Sequence, residues 1–416
     1  MKILEVAYKK PSWFLIEGKE GKNVHLTHLE DLVFDEGYAG AEKALNYISG
    51  VREMLAQGGG KQKVTVKWDG APAVFAGTDP EDGKFFVGTK SIFAKNAKLV
   101  KDKASLDKYY ADTPLHSILG QSFTHLKGLG IKGVLQGDLL FSPLRPPEQT
   151  EIDGKSYIAF RPNTITYAVA SESDLAKRIN QAKLGIVFHT TYTGPSVADM
   201  TADFGADISG LNQNPSVWVE DAYYKDYTGH ATLTDSENNE LTKQVQGIAG
   251  QLRKMDKSTF DGFLNEPDIS AVLNIFMNSR IRGGQSVGEP RAFINGFLEF
   301  YKQRMQKEME KLKGGPESPA AQKRIEKINA MNGFVKENFN TLIGMLEVYR
   351  QLISAKLGLI SKLNKVEGIG TFLKTPEGYK VTNPEGFVAI GHEGGAVKLN
   401  DRLEFNRANF VLDKEW

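Results

Sequence analysis

The chain has 416 residues, of which 40% are hydrophobic and 25% charged, and this length is enough for the cores of two or three domains. It contains no cysteine, which excludes disulfide bonds, thiolate catalysis and cysteine-ligated zinc. Because 52 basic residues are balanced by 51 acidic ones, the net charge of +1 provides no overall attraction to nucleic acid. No run reaches the roughly 20 apolar residues of a membrane span, and the first residues contain no apolar signal-peptide core, so we expect a cytoplasmic protein with no membrane partner.

Residues 1–235 combine strand and helix patterns. Short runs rich in β-branched and aromatic residues end at Gly, Asp or Pro, as strands do. These predicted strands are 13–17, 63–68, 73–76, 84–88, 133–141, 157–160, 164–170 and 185–191. The predicted helices are 39–57, 113–128 and 172–182.

Residues 236–365 follow a different pattern, because strand signals nearly vanish and apolar residues recur every three or four positions. One helix is predicted at 289–313, and the Gly-Gly-Pro of residues 314–316 ends it. A second helix of about 40 residues, about 60 Å long, follows from Pro319. We expect the two helices to form a hairpin.

Strand patterns return in residues 366–416. They are 370–373, 379–382, 386–390, 396–399 and 409–412. The sequence therefore predicts an α+β fold in which residues 1–235 and 366–416 build one core and an all-helical module, residues 236–365, is inserted before the last strands.

A lysine near the end of an apolar strand is the first candidate for chemistry. Lys67 lies two residues before the turn sequence Asp69-Gly70, and Asp-Gly alone is common in hairpins. A strand holds the lysine amine in a fixed place, and neighbouring cations or partial burial favour the neutral, nucleophilic form of such an amine. An amine of this kind can attack the α-phosphorus of a nucleoside triphosphate and expel pyrophosphate.

Five runs in this order resemble a known superfamily. Lys67-Trp68-Asp69-Gly70 resembles motif I (K-x-D-G) of the covalent lysyl-nucleotidyltransferases, which include DNA and RNA ligases and mRNA capping enzymes. Residues 85–92 are similar to the lysine–serine motif of bacteriophage RNA ligases, and 134–139 are similar to motif III. Residues 384–388 are similar to motif IV (E-G-x-V), and 396–399 to motif V. Taken together, the motifs resemble those of an ATP-dependent RNA ligase of the bacteriophage type.

The resemblance implies a fold and a reaction. The fold is a nucleotidyltransferase core of antiparallel, ATP-grasp-like sheets, with motifs IV and V on its last strands. The reaction uses ATP with Mg²⁺ or Mn²⁺. AMP is joined to the lysine, passes to a 5′-phosphate, and is released when a 3′-hydroxyl attacks. The implied partner is RNA with these ends, and the location is the host cytoplasm if a phage encodes this RNA-repair enzyme.

The resemblance also assigns catalytic roles to individual residues. Lys67 is the nucleophile, and Asp69 orients or electrostatically supports it. Lys90 and Lys398 neutralise charge on the triphosphate as pyrophosphate leaves. The implied catalytic set is Lys67, Asp69 and Lys398.

Two carboxylates are implied to hold the divalent metal ion. They are Glu385 and Asp138, and Asp138 is an alternative contact for the ribose. Phe160 and Tyr167 are the candidates for stacking on the base. The residues implied to contact ATP are Val66, Lys67, Gly70, Lys90, Asp138, Phe160, Tyr167, Glu385 and Lys398.

Three positions depart from the superfamily pattern. Asp138 is shorter than the glutamate usual in motif III, and Asn400 stands where motif V often has a second lysine. Ala71-Pro72-Ala73 replaces the arginine that DNA ligases and capping enzymes have after Asp-Gly, which favours an RNA ligase. Only 16 residues follow Asn400, too few for the oligonucleotide-binding barrel usual in DNA ligases.

Other interpretations of the sequence stay open. The chain could be a DNA ligase, a nucleotidyltransferase for another acceptor, or an inactive nucleotidyltransferase fold that binds a partner through its helical module. The lysine-rich stretch 84–108 is either a solvated face or a phosphate-contacting surface. His25 and His28 have metal-ligand spacing without a third ligand, and His189 is interpreted as part of one strand face.

Overall fold

The structure, a computed structural model, describes most of the chain. It covers residues 26–57, 63–224, 233–262, 267–312, 314–315, 317–364, 369–375, 378–382, 385–391 and 395–403. Several helices and strands confirm the predicted α+β class. The predicted strands 13–17 and 409–412, and also His25 and Pro384, lie outside the described residues.

The strands are numbered in chain order. They are β1 (Thr27–His28), β2 (Lys63–Lys67), β3 (Ala73–Thr78), β4 (Phe85–Gly88), β5 (Val134–Phe141), β6 (Glu148–Ile152), β7 (Lys155–Phe160), β8 (Ile165–Ala170), β9 (Leu184–Thr193), β10 (Thr201–Phe204), β11 (Val217–Asp221), β12 (Gly370–Thr375), β13 (Gly378–Val381), β14 (Gly386–Ile390) and β15 (Ala396–Leu399). The sequence analysis missed β1, β6, β10 and β11. Two of these, β6 and β10, are polar strands at sheet edges, so they lack the apolar alternation by which strands are recognised.

The helices are numbered in the same way. They are α1 (Leu32–Asp35), α2 (Gly37–Gln57), α3 (Lys103–Tyr110), α4 (Leu115–Leu126), α5 (Asp174–Gln181), α6 (Asp235–Leu252), α7 (Lys257–Gly262), α8 (Pro267–Arg282), α9 (Pro290–Met309), α10 (Pro319–Glu337) and α11 (Phe339–Leu363). None of the helices in the described part of the chain is both long and apolar enough to cross a membrane.

The strands form three sheets, and late strands complete two of them. The first sheet has the order β1-β15-β14-β2, so that β14 and β15 lie beside strands from the start of the chain. The second sheet has the order β10-β9-β5-β3-β4, with β11 parallel to β9. The third sheet has the order β13-β12-β8-β7-β6. The two late hairpins therefore join different sheets.

The helices α6 to α11 share a core with the first sheet. Their buried apolar side chains form one continuous cluster with those of α1 and α2, and the cluster includes Val64 of β2, Phe387 of β14 and Leu399 of β15. This helical segment therefore covers the first sheet instead of standing apart from it. The α9 helix packs against α10, as expected for the predicted hairpin.

The predicted 40-residue helix is two helices. Asn338 separates α10 from α11 and leaves helical geometry, with φ −105° and ψ 15°. Its side-chain amide donates to the carbonyl oxygen of Phe334 at 2.9 Å. Asparagine breaks the helix here because its short polar side chain competes for backbone hydrogen bonds.

A buried ion pair joins the helical segment to the segment before α1. Lys356 of α11 and Glu30 are each 1% exposed, and the Lys356 ammonium donates to both Glu30 carboxylate oxygens at 2.8 Å. Asp31 beside it accepts from the Arg402 guanidinium at 2.7 Å and from the Tyr349 hydroxyl at 3.1 Å. Buried charges of this kind are tolerated because each has a partner.

We predict that Lys356→Met lowers the free energy of unfolding by about 3–5 kcal/mol, because the Glu30 carboxylate then stays buried without its partner. The double variant Glu30→Gln/Lys356→Met should recover most of this loss. Urea unfolding measures both. The control is Lys103→Met, which removes the exposed partner of Asp107 and should change stability by less than about 0.5 kcal/mol. Equal losses in Lys356→Met and the control would contradict the prediction.

Candidate active site at the junction of two sheets

The pairing of β2 with β14 brings motif I to motif IV. The two strands are antiparallel, and Lys67 at the end of β2 lies opposite Gly386 at the start of β14. Glu385, which precedes Gly386, therefore reaches the Lys67 ammonium and forms an ion pair with it. On the other side of β14, Lys398 of β15 pairs with Val388. The first sheet thus brings together Glu385 and two of the three predicted lysines, Lys67 and Lys398.

Two motif glycines are required by close packing. Gly386 has φ +145°, and a Cβ atom there would lie 2.5 Å from the Cβ of Asn400. A Cβ atom on Gly70 would lie 2.5 Å from the Cβ of Asp138. Only glycine fits at such distances. Gly70 therefore lets the turn after Lys67 pack directly on β5, while its contact with ATP stays a prediction.

The second sheet supplies the opposite side of the site. Asp138 lies on β5, and Lys90 begins a short 3-10 helix after β4. These side chains and those of the first sheet enclose a pocket of about 290 Å³. We call it the lysine pocket. Its lining includes Leu26, Val66, Lys67, Trp68, Lys90, Gln136, Asp138, His189, Tyr192, Phe204 and Lys398.

Burial changes the protonation of two groups in the site. It raises the pKa of the Glu385 carboxyl above its usual value, while the adjacent Lys67 ammonium opposes the shift. Burial also lowers the pKa of Lys398, and the positive charge of Lys67 lowers it further. Both shifts follow from the cost of holding a charge away from water.

His28 of β1 lies beside Lys398 in the sheet register. Its Nδ1 atom is 2.7 Å from Oδ1 of Asn400, and burial lowers the pKa of His28 well below its usual value. A neutral imidazole next to Lys398 adds no further positive charge. Asn400, which replaces the second lysine of motif V, therefore holds His28.

Asp69 organises the turn behind the site. Its carboxylate accepts hydrogen bonds from the Asn163 amide at 2.7 Å and from the backbone N–H groups of Thr164 and Ile165 at 2.7 and 2.8 Å. Asp69 is only 4% exposed and does not line the lysine pocket. The Asp69 carboxylate thus fixes the turn that follows Lys67 against residues 163–165.

The residues predicted to stack on the base lie elsewhere. Phe160 and Tyr167 are 3% and 2% exposed, and their rings stack on each other within an aromatic cluster that also contains Trp218. The Tyr167 hydroxyl accepts the backbone N–H of Asp69 at 2.7 Å. Neither residue lines the lysine pocket, so the structure does not place them at the predicted ATP site. The aromatic side chains that line the lysine pocket include Trp68, Tyr192 and Phe204.

His189 lines the lysine pocket, although the sequence analysis assigned it no functional role. Its Nε2 atom is 3.7 Å from Oδ2 of Asp138. In the pairing of β5 with β9, Gln136 lies opposite Thr190 but Gly137 lies opposite Phe188, so His189 is the extra residue of a β-bulge. A bulge re-aims side chains, and this one points His189 and Thr190 into the same pocket. A sequence pattern that assumes alternate side chains on opposite faces of a strand cannot reveal such a bulge, so it cannot predict that His189 faces the pocket.

Several lysines of the stretch 84–108 make contacts within the protein. Lys101 donates to Asp79 at 2.6 Å and to Asp82 at 2.8 Å, and Lys98 lies over the ring of Tyr110. Lys90 is the member of this stretch that lines the lysine pocket. The local excess of lysine is therefore partly structural.

We predict that Asp69→Asn lowers the free energy of unfolding by at least about 2 kcal/mol, because the new amide faces hydrogen-bond donors that the carboxylate now satisfies. Asp138→Asn is the control. Its side chain is 21% exposed and lies 3.7 Å from His189, so its stability should change by less than about 1 kcal/mol. Chemical denaturation compares the two. Similar stability of Asp69→Asn and wild type would show that the turn does not depend on this carboxylate.

Comparison with known proteins gives a family. No curated protein matches the chain, and neither does any solved structure. A family model matches residues 23–414, which is nearly the whole chain and includes the lysine pocket. The chain belongs to DUF6267, a family of unknown function.

Proposed function

We propose that this protein is an ATP-dependent polynucleotide ligase, an RNA ligase, which acts through a nucleotidyltransferase core and an AMP group carried on Lys67. One observation carries the proposal. Lys67, Lys90, Asp138 and Lys398 line a single pocket, and Glu385 forms an ion pair with the Lys67 ammonium, although these residues come from four separate parts of the chain. The order of the motifs along the sequence does not by itself imply that their residues meet in one pocket of the folded chain.

The pocket suits the first chemical step. The Lys67 amine, once it has lost a proton, attacks the α-phosphorus of ATP, and the bond to pyrophosphate breaks. Glu385 touches the Lys67 amine, and its raised pKa makes it a better acceptor of that proton than an ordinary carboxylate. Lys90 and Lys398 supply positive charge for the leaving pyrophosphate.

The carboxylates fit a metal ion that arrives with the nucleotide. Among the described residues there is no group of three or more histidine, aspartate or glutamate side chains that could hold a metal ion alone. Mg²⁺, however, is commonly bound by one or two carboxylates together with substrate phosphates. Glu385, which contacts Lys67, and Asp138, which lines the same pocket as Lys67, are the two carboxylates that we propose for this role. The ion would offset charge on the triphosphate.

The rest of the pocket suits a nucleoside. Trp68 and Phe204, which are half-buried in the pocket lining, offer aromatic faces for a base, and Asp138 with His189 offers polar atoms for a ribose hydroxyl. Asp138 is shorter than the glutamate usual in motif III. The imidazole of His189 therefore makes the ribose contact that the longer glutamate side chain would make. After AMP transfer to a 5′-phosphate, a 3′-hydroxyl attacks that end and releases AMP. Ala71-Pro72-Ala73 after motif I supports RNA as the acceptor.

We predict that the purified protein, incubated with α-labelled ATP and Mg²⁺ or Mn²⁺, acquires a covalent label and that Lys67→Ala does not. The matched control is Lys63→Ala, at the exposed start of the same strand, which should label like wild type. Mass spectrometry and pyrophosphate treatment first establish whether the protein is already adenylylated. Equal labelling of wild type and Lys67→Ala would overturn the proposal.

Sealing assays distinguish the acceptors. A nicked RNA duplex, a nicked DNA duplex and single-stranded RNA are compared with the adenylylated protein. We expect sealing of an RNA substrate. Sealing of DNA alone would indicate a DNA ligase, and failure on all three despite covalent AMP would indicate another acceptor.

The lowered pKa of Lys398 predicts a pH dependence of ATP binding. The positive charge of Lys398 is present below its pKa and is lost as the pH rises through it, earlier than for an ordinary lysine. The KM for ATP in lysyl-AMP formation should therefore start to increase at a pH below the ordinary lysine pKa of about 10.4. Lys398→Arg keeps its charge at such pH values and should show a flatter profile. Identical KM profiles of the two proteins would contradict the role of Lys398.

A further inference from the structure

A second pocket lies on the third sheet, on the face that points away from the aromatic cluster. Along β8, Ile165 and Tyr167 point into that cluster, whereas Thr166 between them points to the opposite face. The pocket on this face has a volume of about 340 Å³. We call it the outer pocket. Its polar lining includes Arg145, Arg161, Asn163, Thr166, Lys374 and Tyr379.

The outer pocket has an excess of positive charge. Arg145, Arg161 and Lys374 line it together with one acidic residue, Glu148. Arg161 is half-buried, while Arg145 and Lys374 are exposed at the rim. Arginine side chains match the geometry of phosphate oxygens because the planar guanidinium donates two parallel hydrogen bonds. The charge and the donors therefore favour an anion with several oxygens.

A buried hydroxyl in the outer pocket points to a ligand. Thr166 is 3% exposed, and its Oγ1 atom has no hydrogen-bond partner in the part of the chain that the structure describes. Buried polar atoms without partners are rare because leaving them unpaired costs free energy. A ligand oxygen at the floor of the pocket would provide the missing partner.

One turn separates the outer pocket from the lysine pocket. Asn163 and Thr164 line the outer pocket, and both donate to the Asp69 carboxylate at 2.7 Å. Asp69 follows Lys67 by two residues, and Lys67 lines the other pocket. The two pockets therefore lie on either side of a wall built by Asp69 and the turn 163–165.

We propose that the outer pocket binds a phosphate group of the polynucleotide acceptor. The inference rests on the proposed ligase function, which requires a nucleic-acid strand to approach the AMP on Lys67. Arg161 and Lys374 contact the phosphate oxygens, the Thr166 hydroxyl donates to one of them, and Tyr379 provides a face on which a neighbouring base stacks.

The test compares three variants for binding and for AMP transfer. They are Thr166→Val, the double variant Arg161→Gln/Lys374→Gln, and the control Lys177→Gln, whose exposed side chain lies on α5. The probe is a short 5′-phosphorylated single-stranded RNA, measured by fluorescence anisotropy at two salt concentrations. Formation of lysyl-AMP is measured separately, because it does not need the acceptor.

We expect the double variant to bind the RNA roughly tenfold more weakly than wild type, with a smaller salt dependence, because phosphate contacts are lost. Thr166→Val should also bind more weakly, although it should be at least as stable as wild type, since it removes a buried hydroxyl that has no partner. In both variants AMP transfer to the RNA should slow while lysyl-AMP formation is unchanged. Lys177→Gln should behave like wild type.

The outcomes separate this inference from the proposed function. If RNA binding and AMP transfer are unchanged in Thr166→Val and in the double variant, the outer pocket is not an acceptor site, and the ligase proposal stands. If wild type forms no lysyl-AMP, the ligase proposal fails. This measurement does not involve the outer pocket, so the two failures can be told apart.

The same RNA with a 5′-hydroxyl end identifies which phosphate is bound. An equal loss of binding for both RNAs assigns the pocket to an internal phosphodiester. A loss confined to the 5′-phosphorylated RNA assigns it to the terminal phosphate. Either result supports the inference.

Discussion

The antiparallel pairing of β2 with β14 is the interaction on which the rest of the structure depends. It places Lys67 beside Glu385, which is 318 residues further along the chain. Closing so long a loop costs conformational entropy, and the few hydrogen bonds between two five-residue strands offset only part of it. The remaining stabilisation comes from what covers the sheet. Val64, Phe387 and Leu399 are buried in the same apolar cluster as the helices α6 to α11.

The helical segment therefore has a physical role in forming the site. Beyond these apolar contacts, the buried ion pair of Lys356 with Glu30 links the helical segment to the segment before α1. The half-buried ion pair of Arg402 with Asp31 links the residues after β15 to the same segment. That segment also provides β1, where His28 lies beside Lys398. Residues 26–31 thus connect the helices to Lys398 of β15.

Much of the fold could be predicted, because its inner strands follow simple periodicity. The predicted strands 386–390 and 396–399 agree residue for residue with β14 and β15. The helix start at Pro319 was also recognisable, from a serine cap and a proline in the first turn. What could not be predicted depends on tertiary contacts. Asn338 breaks a continuous apolar stripe, and polar edge strands such as β6 have no apolar face that would reveal them.

The candidate site was predicted in part, for a related reason. Motif order identified Lys67, Lys90, Asp138, Glu385 and Lys398, which the fold brings together. Local sequence cannot show which aromatic ring faces a pocket, so Phe160 and Tyr167 were assigned to ATP although they lie in the core. Nor can it show a bulge, which is why His189 was missed. The hydrogen bonds of the Asp69 carboxylate could not be predicted either, because their donors lie in the turn at 163–165, far from Asp69 in the sequence.

The most direct test of the account is to map the site of nucleotide attachment. The protein is incubated with ATP and a divalent metal ion, digested under conditions that keep the phosphoramidate bond, and its peptides are sequenced by mass spectrometry. The account predicts AMP on Lys67 and on no other lysine of the pocket. AMP on Lys90 or Lys398, or no modification with any nucleoside triphosphate in a protein shown to be unmodified at the start, would contradict it.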